Sequence, residues 1–320
     1  MFNKYRFLIV LFFLLMTFAG FSQSKANASF QIVPLGVLGG IDESNLSAYM
    51  VAAGGTNDYI CLDAGTLHYG IEKAVKNGVL NIPTEQVLRR YIKGYLISHA
   101  HLDHIAGLII NSPDDTNKTI YALGSTIETI KKDYFTWEGW ANFGDDGEAP
   151  ALKKYHYQVL PPDSTISLKN TGMTVQAFPL SHSNLTSTAF LINSNGAYIL
   201  YLGDTGEDDI EKSHNLQNLW TAIAPLVKSK KLKAIMIETS FPDDQPDKTL
   251  FGHLTPHWLM AEMHRLAALC GNGSLKNFNI IITHLKPPVN KIAAIKTQLK
   301  AENDLGLNLI FPQQGRSLNL

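Results

Sequence analysis

Residues 98–113 read SHAHLDHIAGLIINSP, and the first half of that stretch sets His99, His101, Asp103 and His104 within six positions. The residues before it, GYLISH, form an apolar run that predicts a buried strand. From Asp103 to Ile110 the pattern turns helical, with Asp103 in a first turn where an acid suits the helix dipole. The histidines therefore fall at a strand exit. Residues i and i+2 on such an exit can face one ion if the loop turns between them, while the next turn swings Asp103 and His104 toward a second position. Imidazole and carboxylate together suit zinc or a comparable divalent metal. A lone loop histidine reads as a solvated side chain, but the chain has only 11 histidines in 320 residues and spends three of them here.

The same design recurs along the chain. Apolar strands end in CLDAG, LISHAH, PLSH, YLGD, MIETS and IITH, so ionisable residues gather along one rim, as they do where loops at the carboxyl ends of strands build a site. FQIVPLGVLGG, LSAYMVAAG and DYICLDAGT open the chain as strands, and TEQVLRRYIK has helical spacing. MTVQAFPLSH, STAFLINS and AYILYLGDTG follow later, the last two joined by Asn195-Gly196, then KAIMIETS and FNIIITHLKP. The second half repeats the plan of the first. TPHWLMAEMHRLAAL and NKIAAIKTQLKAEN are helical, and the alternation of strands and helices predicts an α/β layered fold. Residues 114–160 are less regular and hold Trp137, Trp140 and FGDDGEAP. They are expected to form an insertion of helices and a loop over one end of the site, or a homodimer contact.

Composition bounds the rest. At 45% hydrophobic and 17% charged, the chain suits one large domain. Residues 1–28 read as a secretory signal peptide: Lys4 and Arg6 precede an apolar run from Phe7 to Phe18, too short for a membrane span, and Ala26-Asn27-Ala28 offers a cleavage site. A single domain is then expected over residues 29–320, exported, and periplasmic in a Gram-negative cell, with no stable membrane association after cleavage. Cleavage there leaves 24 basic against 28 acidic side chains, a net charge of −4. Such a balance does not attract polymeric nucleic acid. Cys61 and Cys270 have neither CxxC nor CxxH spacing and read as small buried residues.

An acid at a strand end, then HxHxDH, His, Asp and His, is the order in which Asp63, residues 99–104, His182, Asp204 and His284 occur, and in this the sequence resembles the metallo-β-lactamase superfamily. The resemblance implies an αβ/βα four-layer sandwich with two divalent ions, zinc above all. His99, His101 and His182 would hold one, Asp103, His104 and His284 the other, with Asp204 between them and Asp63 supporting the ligand loop. The stretch HLDHIAGLIINSP narrows the resemblance to class II cyclic-nucleotide phosphodiesterases, whose pattern of HxHLDH, an aliphatic, any residue, Gly, three apolar residues, any residue, Ser and Pro is unbroken here. It extends through LDAGT, GDTG, ETSF, GHLTP and THLKP.

That resemblance implies hydrolysis of a small 3′,5′-cyclic nucleotide, cyclic AMP before cyclic GMP, to the 5′-monophosphate by a hydroxide held between the metals. Asp103 would also take the nucleophile's proton. Glu238 and His253 resemble the Glu and His pair beside the metals in phosphodiesterase branches of the superfamily. His253 would assist the leaving 3′ oxygen, and Glu238 would orient it. His68, Tyr69, Asn111, Trp137 and Trp140 are candidates for holding base and ribose. The rivals are an exported lactonase or β-lactamase-like hydrolase, against the latter of which Asp204 argues, and a metal-binding protein without catalysis.

Overall fold

The computed structural model describes residues 28–320, so the signal peptide expected over residues 1–28 lies, but for Ala28, outside the described residues. In the first half, β1 (Phe30–Gly36), β2 (Ala48–Ala53) and β3 (Tyr59–Leu62) form an antiparallel meander, to which β4 (Ile92–Leu96), β5 (Lys118–Ala122) and β6 (Tyr155–Val159) add in parallel. The second half uses the same order. After the short β7 (Thr165–Leu168) come the antiparallel β8 (Met173–His182), β9 (Leu185–Ser194) and β10 (Ala197–Leu202), then the parallel β11 (Leu232–Glu238), β12 (Asn279–Thr283) and β13 (Asn308–Ile310). β14 (Leu318–Asn319) returns from the C-terminus to pair with β1. Each sheet has seven strands.

Side-chain alternation sorts the strands into layers. On β1, Phe30 and Ile32 face the space between the sheets, whereas Val33 and Leu35 face the helices; on β10, Ile199 and Tyr201 face the other sheet and Leu200 and Leu202 the helices. The outer face of the first sheet carries α1 (His68–Lys76), α2 (Leu102–Asn111) and α3 (Gly124–Thr129). The second carries α4 (Asn215–Lys228), α5 (Pro256–Cys270) and α6 (Val289–Glu302). The result is the expected four layers, helix, sheet, sheet, helix. Cys61 and Cys270 are free and buried, one against each helical layer.

Local chemistry fixes the turns. Asn195 and Gly196 have φ of 51° and 82°, the left-handed pair that a two-residue hairpin between right-twisted strands needs. Thr255 caps α5, its hydroxyl accepting from the Trp258 amide, with Pro256 as the first helical residue. Gly107 lets α2 lie against the turn after β3: its amide donates to Gly65 O at 2.9 Å, and a Cβ there would come within 2.7 Å of Ala64 O.

The segment 114–160 corrects the expectation of helices and a loop. Its two ends are β5 and β6, which extend the first sheet in register from Lys118↔Tyr155 to Ala122↔Val159; α3, a widened turn and a loop lie between. β6 is hidden in the sequence because it is an edge strand whose exposed His156 and half-exposed Tyr157 and Gln158 blur the apolar alternation. The indole nitrogens of the two tryptophans find their partners outside the ligand loop. Trp140 Nε1 donates to Ser112 Oγ just beyond the C-terminal end of α2, whereas the ligand loop precedes that helix, and Trp137 Nε1 donates to Pro150 O.

Candidate metal centre

Six strand ends deliver the site. Asp63 follows β3, the His99–His104 loop follows β4, His182 ends β8, Asp204 follows β10, Glu238 ends β11 and His284 follows β12. Asp63 and His284 adopt φ of 52° and 55°, left-handed conformations uncommon for such residues, so the backbone bends sharply at both points.

The donor atoms converge as two groups. His99, His101 and His182 offer ligand atoms within 4.8 Å of one another, and so do Asp103, His104 and His284. In the first, His99 Nε2 and His182 Nε2 lie 3.1 and 3.3 Å from His101 Nδ1. In the second, His284 Nε2 lies 3.1 Å from Asp103 Oδ2. Asp204 stands between: its Oδ2 is 3.3 Å from His104 Nε2 and His284 Nε2, and 3.8 Å from His99 Nε2 and His182 Nε2. All of these except the more open Asp103 and His101 are buried.

The opposite ring nitrogens of His99, His104, His182 and His284 are already engaged, which decides which atom of each faces the centre. His104 Nδ1 donates to Asp63 Oδ2 at 2.7 Å and His182 Nδ1 to Gly252 O at 2.7 Å. Ser98 Oγ lies 3.0 Å from His99 Nδ1 and donates to Asp63; Ser240 Oγ lies 2.9 Å from His284 Nδ1 and donates to Glu238. Asp63 is fully buried and receives the Ser98 amide and the Ser98, His104 and Tyr201 side chains. Glu238, equally buried, receives the Thr205 and Leu254 amides, the Ser240 hydroxyl and His253 Nδ1 at 2.8 Å.

Electrostatics favour a cation at the centre. Burial holds the pKa of His99 well below the usual imidazole range, and that of His101 below it, so both present lone pairs. Burial works against the carboxylates, but histidines outweigh it: His284 and His104 hold Asp204 well below its usual range, His104 and His284 do so for Asp103, and His253 lowers Glu238. Burial likewise opposes charge on His104, yet Asp204, Asp63 and Asp103 raise its pKa well above the ordinary value. Its buried Nε2 has no hydrogen-bond partner. An orphaned buried nitrogen, and five imidazoles and two carboxylates converging with the outer nitrogens of four of the rings engaged, are what a pair of divalent ions requires, so the residues fit the group.

Residues 28–315 match the class-II cAMP phosphodiesterases. The chain belongs to that family. It is 44% identical over 313 residues to a 3′,5′-cyclic-nucleotide phosphodiesterase of Aliivibrio fischeri, covering 93% of this chain and 95% of that one. A probable 3′,5′-cyclic-nucleotide phosphodiesterase of Yersinia pestis is 40% identical over 318 residues, covering 95% and 92%. Among solved structures, unliganded yeast PDE1 superimposes with a TM-score of 0.81 at 23% identity, over 92% of this chain and all of that one. The metallo-β-lactamase fold protein YhfI of Bacillus subtilis gives 0.60 at 18%, over 91% and 99%. The fold is therefore that of the metallo-β-lactamases.

In this class-II phosphodiesterase the structure brings together all the residues singled out from strand ends, with Glu238 and His253 as a hydrogen-bonded pair on their flank. His253 Nδ1 lies 3.8 Å from Asp204 Oδ2. Sequence reasoning passed over Ser98, Ser240, Tyr201 and Lys286, although Ser98 stands inside LISH and Ser240 inside IETSF. A small polar residue beside a ligand at a strand end is the signal for the first two; Tyr201, inside an apolar strand, offered none.

Proposed function

We propose that the protein opens the phosphodiester of 3′,5′-cyclic nucleotides, cyclic AMP before cyclic GMP, to nucleoside 5′-monophosphates, with zinc as the native metal. The observation that carries this is the adjacency of two donor groups sharing Asp204 to a Glu238–His253 pair. His99, His101, His182 and Asp103, His104, His284 would hold two divalent ions, whose Lewis acidity would lower the pKa of a water and offset phosphoryl charge.

The chain's own groups do the rest. Asp103 is the acceptor for the proton of the attacking water; its Oδ2 is already oriented by the Gly40 amide at 2.9 Å. Glu238 holds the Nδ1 proton of His253 and so leaves Nε2 as the atom through which a proton reaches the departing 3′ oxygen. The buried carboxylate offsets the charge when the ring takes up a second proton.

A hollow of about 300 Å³ opens beside His101, walled by Ser125, Thr126, Thr129, Tyr134 and Leu185. It pairs an exposed leucine with four hydroxyl-bearing serine and threonine side chains, Ser125, Thr126, Thr129 and Thr186, a surface that suits the face and edge of a nucleobase. His68, Tyr69, Asn111, Trp137 and Trp140 are not among its walls. The leader composition of residues 1–28 further supports export.

Purified protein assayed with cyclic AMP, cyclic GMP, an aryl phosphodiester and a chromogenic β-lactam, with and without chelator, tests the reading. Chelator-sensitive release of 5′-monophosphate is expected, fastest from cyclic AMP. Opening of the lactam with both cyclic nucleotides left intact would sink it.

A further inference from the structure

Lys286 follows His284 by two residues and comes to lie on the flank of the centre opposite no acid. Its Nζ is 2.8 Å from His253 Nε2 and lies over the Phe241 ring, 5.1 Å from the centroid. Since Glu238 takes the proton on Nδ1, His253 Nε2 carries a lone pair, and the ammonium donates to it. Among the described residues Lys286 forms no ion pair, unlike the buried Lys118 with Asp115 or Arg265 with Glu207, Asp209 and Glu262. An ammonium has three donors, and a neutral imidazole satisfies one of them without answering the charge.

A half-buried cation held against the proton-carrying histidine, with its charge unanswered, awaits an anion at that place. The geometry points to Lys286 as a substrate-binding residue that leaves His253 Nε2 to donate to a non-bridging oxygen of the substrate phosphoryl group. The flank it occupies is walled by His253 and His284, whose rings stack at 5.3 Å. Phosphate held there gains a charge-assisted hydrogen bond, and His253 Nε2 is freed at the moment substrate arrives. Ring opening raises the charge on the phosphate oxygens, so a fixed ammonium beside them serves the bond-breaking state more than the bound substrate. This rests on the phosphoester reading of the centre, whereas a purely structural Lys286 would act through its contact with Phe241.

Titration calorimetry of the metal-loaded full chain with inorganic phosphate decides it, comparing wild type with Lys286→Met, which keeps an unbranched stem, and Lys286→Arg, which keeps the charge. Loss of one charge-assisted contact should weaken phosphate binding by about tenfold in Lys286→Met, with metal content unchanged and with arginine restoring most of the loss. Inhibition by 5′-AMP should weaken in parallel, and inhibition by uncharged adenosine should not. A loss below about threefold, a loss that arginine does not reverse, undetectable phosphate binding by the wild type, or departure of metal from Lys286→Met would each overturn the assignment. Failure of the wild type to open any cyclic nucleotide would instead overturn the proposed substrate, and the phosphate titration would still report on Lys286.

Discussion

Asp204 is the residue where the two donor groups meet, with four ligand-type histidines 3.3–3.8 Å from one carboxylate oxygen. No neighbouring acid can replace it, since Asp63 and Glu238 are each committed to four hydrogen-bond donors. Asp204→Ala should therefore leave fewer than two ions bound after dialysis and abolish turnover; elemental analysis that still found two would end its role as the shared ligand. His253 has a different environment, since its ring nitrogens face Glu238 and Lys286. His253→Ala should lower kcat by about a hundredfold or more, the usual range for losing a proton-transfer group, while both ions stay. Metal loss in that variant would make His253 a ligand and remove the proton-transfer role.

At the scale of elements, the ligand loop is aimed by the close approach of α2 to the turn after β3. Gly107 makes that approach possible, because a Cβ would meet Ala64 O at 2.7 Å and Leu67 N at 2.9 Å, both backbone atoms with no room to yield. Gly107→Ala should cost about 1–3 kcal/mol in urea unfolding, as overpacking does, and should weaken metal retention, since α2 carries Asp103 and His104. An unchanged unfolding midpoint would mean that the turn gives way. The glycine was legible in the sequence only as one letter of a pattern; its physical reason needed the fold. Strands whose apolar runs end in an acid or histidine, such as YLGD and IITH, could be read directly, because burial and chemistry share one short segment. β6 and α4 could not: β6 mixes polar edge residues into its alternation, and α4 carries Pro225 inside an otherwise helical run. The orienting residues Ser98, Ser240 and Tyr201 act through hydrogen bonds between elements distant in sequence, which no local pattern encodes.

At the scale of the molecule, the two halves repeat one plan and are joined at the site. One donor group takes His99 and His101 from the first half and His182 from the second; the other takes Asp103 and His104 from the first and His284 from the second. Ions bound there tie the two sheets together at the rim, beyond the end of their shared apolar core, so metal binding and sheet packing are linked. A ligand that binds only the native state adds about 4 kcal/mol when free at a thousand times its dissociation constant, so two ions held that tightly add roughly 8 kcal/mol. For a domain of this size that corresponds to a fall in Tm on the order of 15 °C when metal is stripped. The same thermal scan on Asp204→Ala should show a much smaller difference between loaded and stripped protein. If chelation leaves the wild-type Tm unchanged although elemental analysis shows the ions gone, the halves are held by their core alone and the centre contributes chemistry without stability.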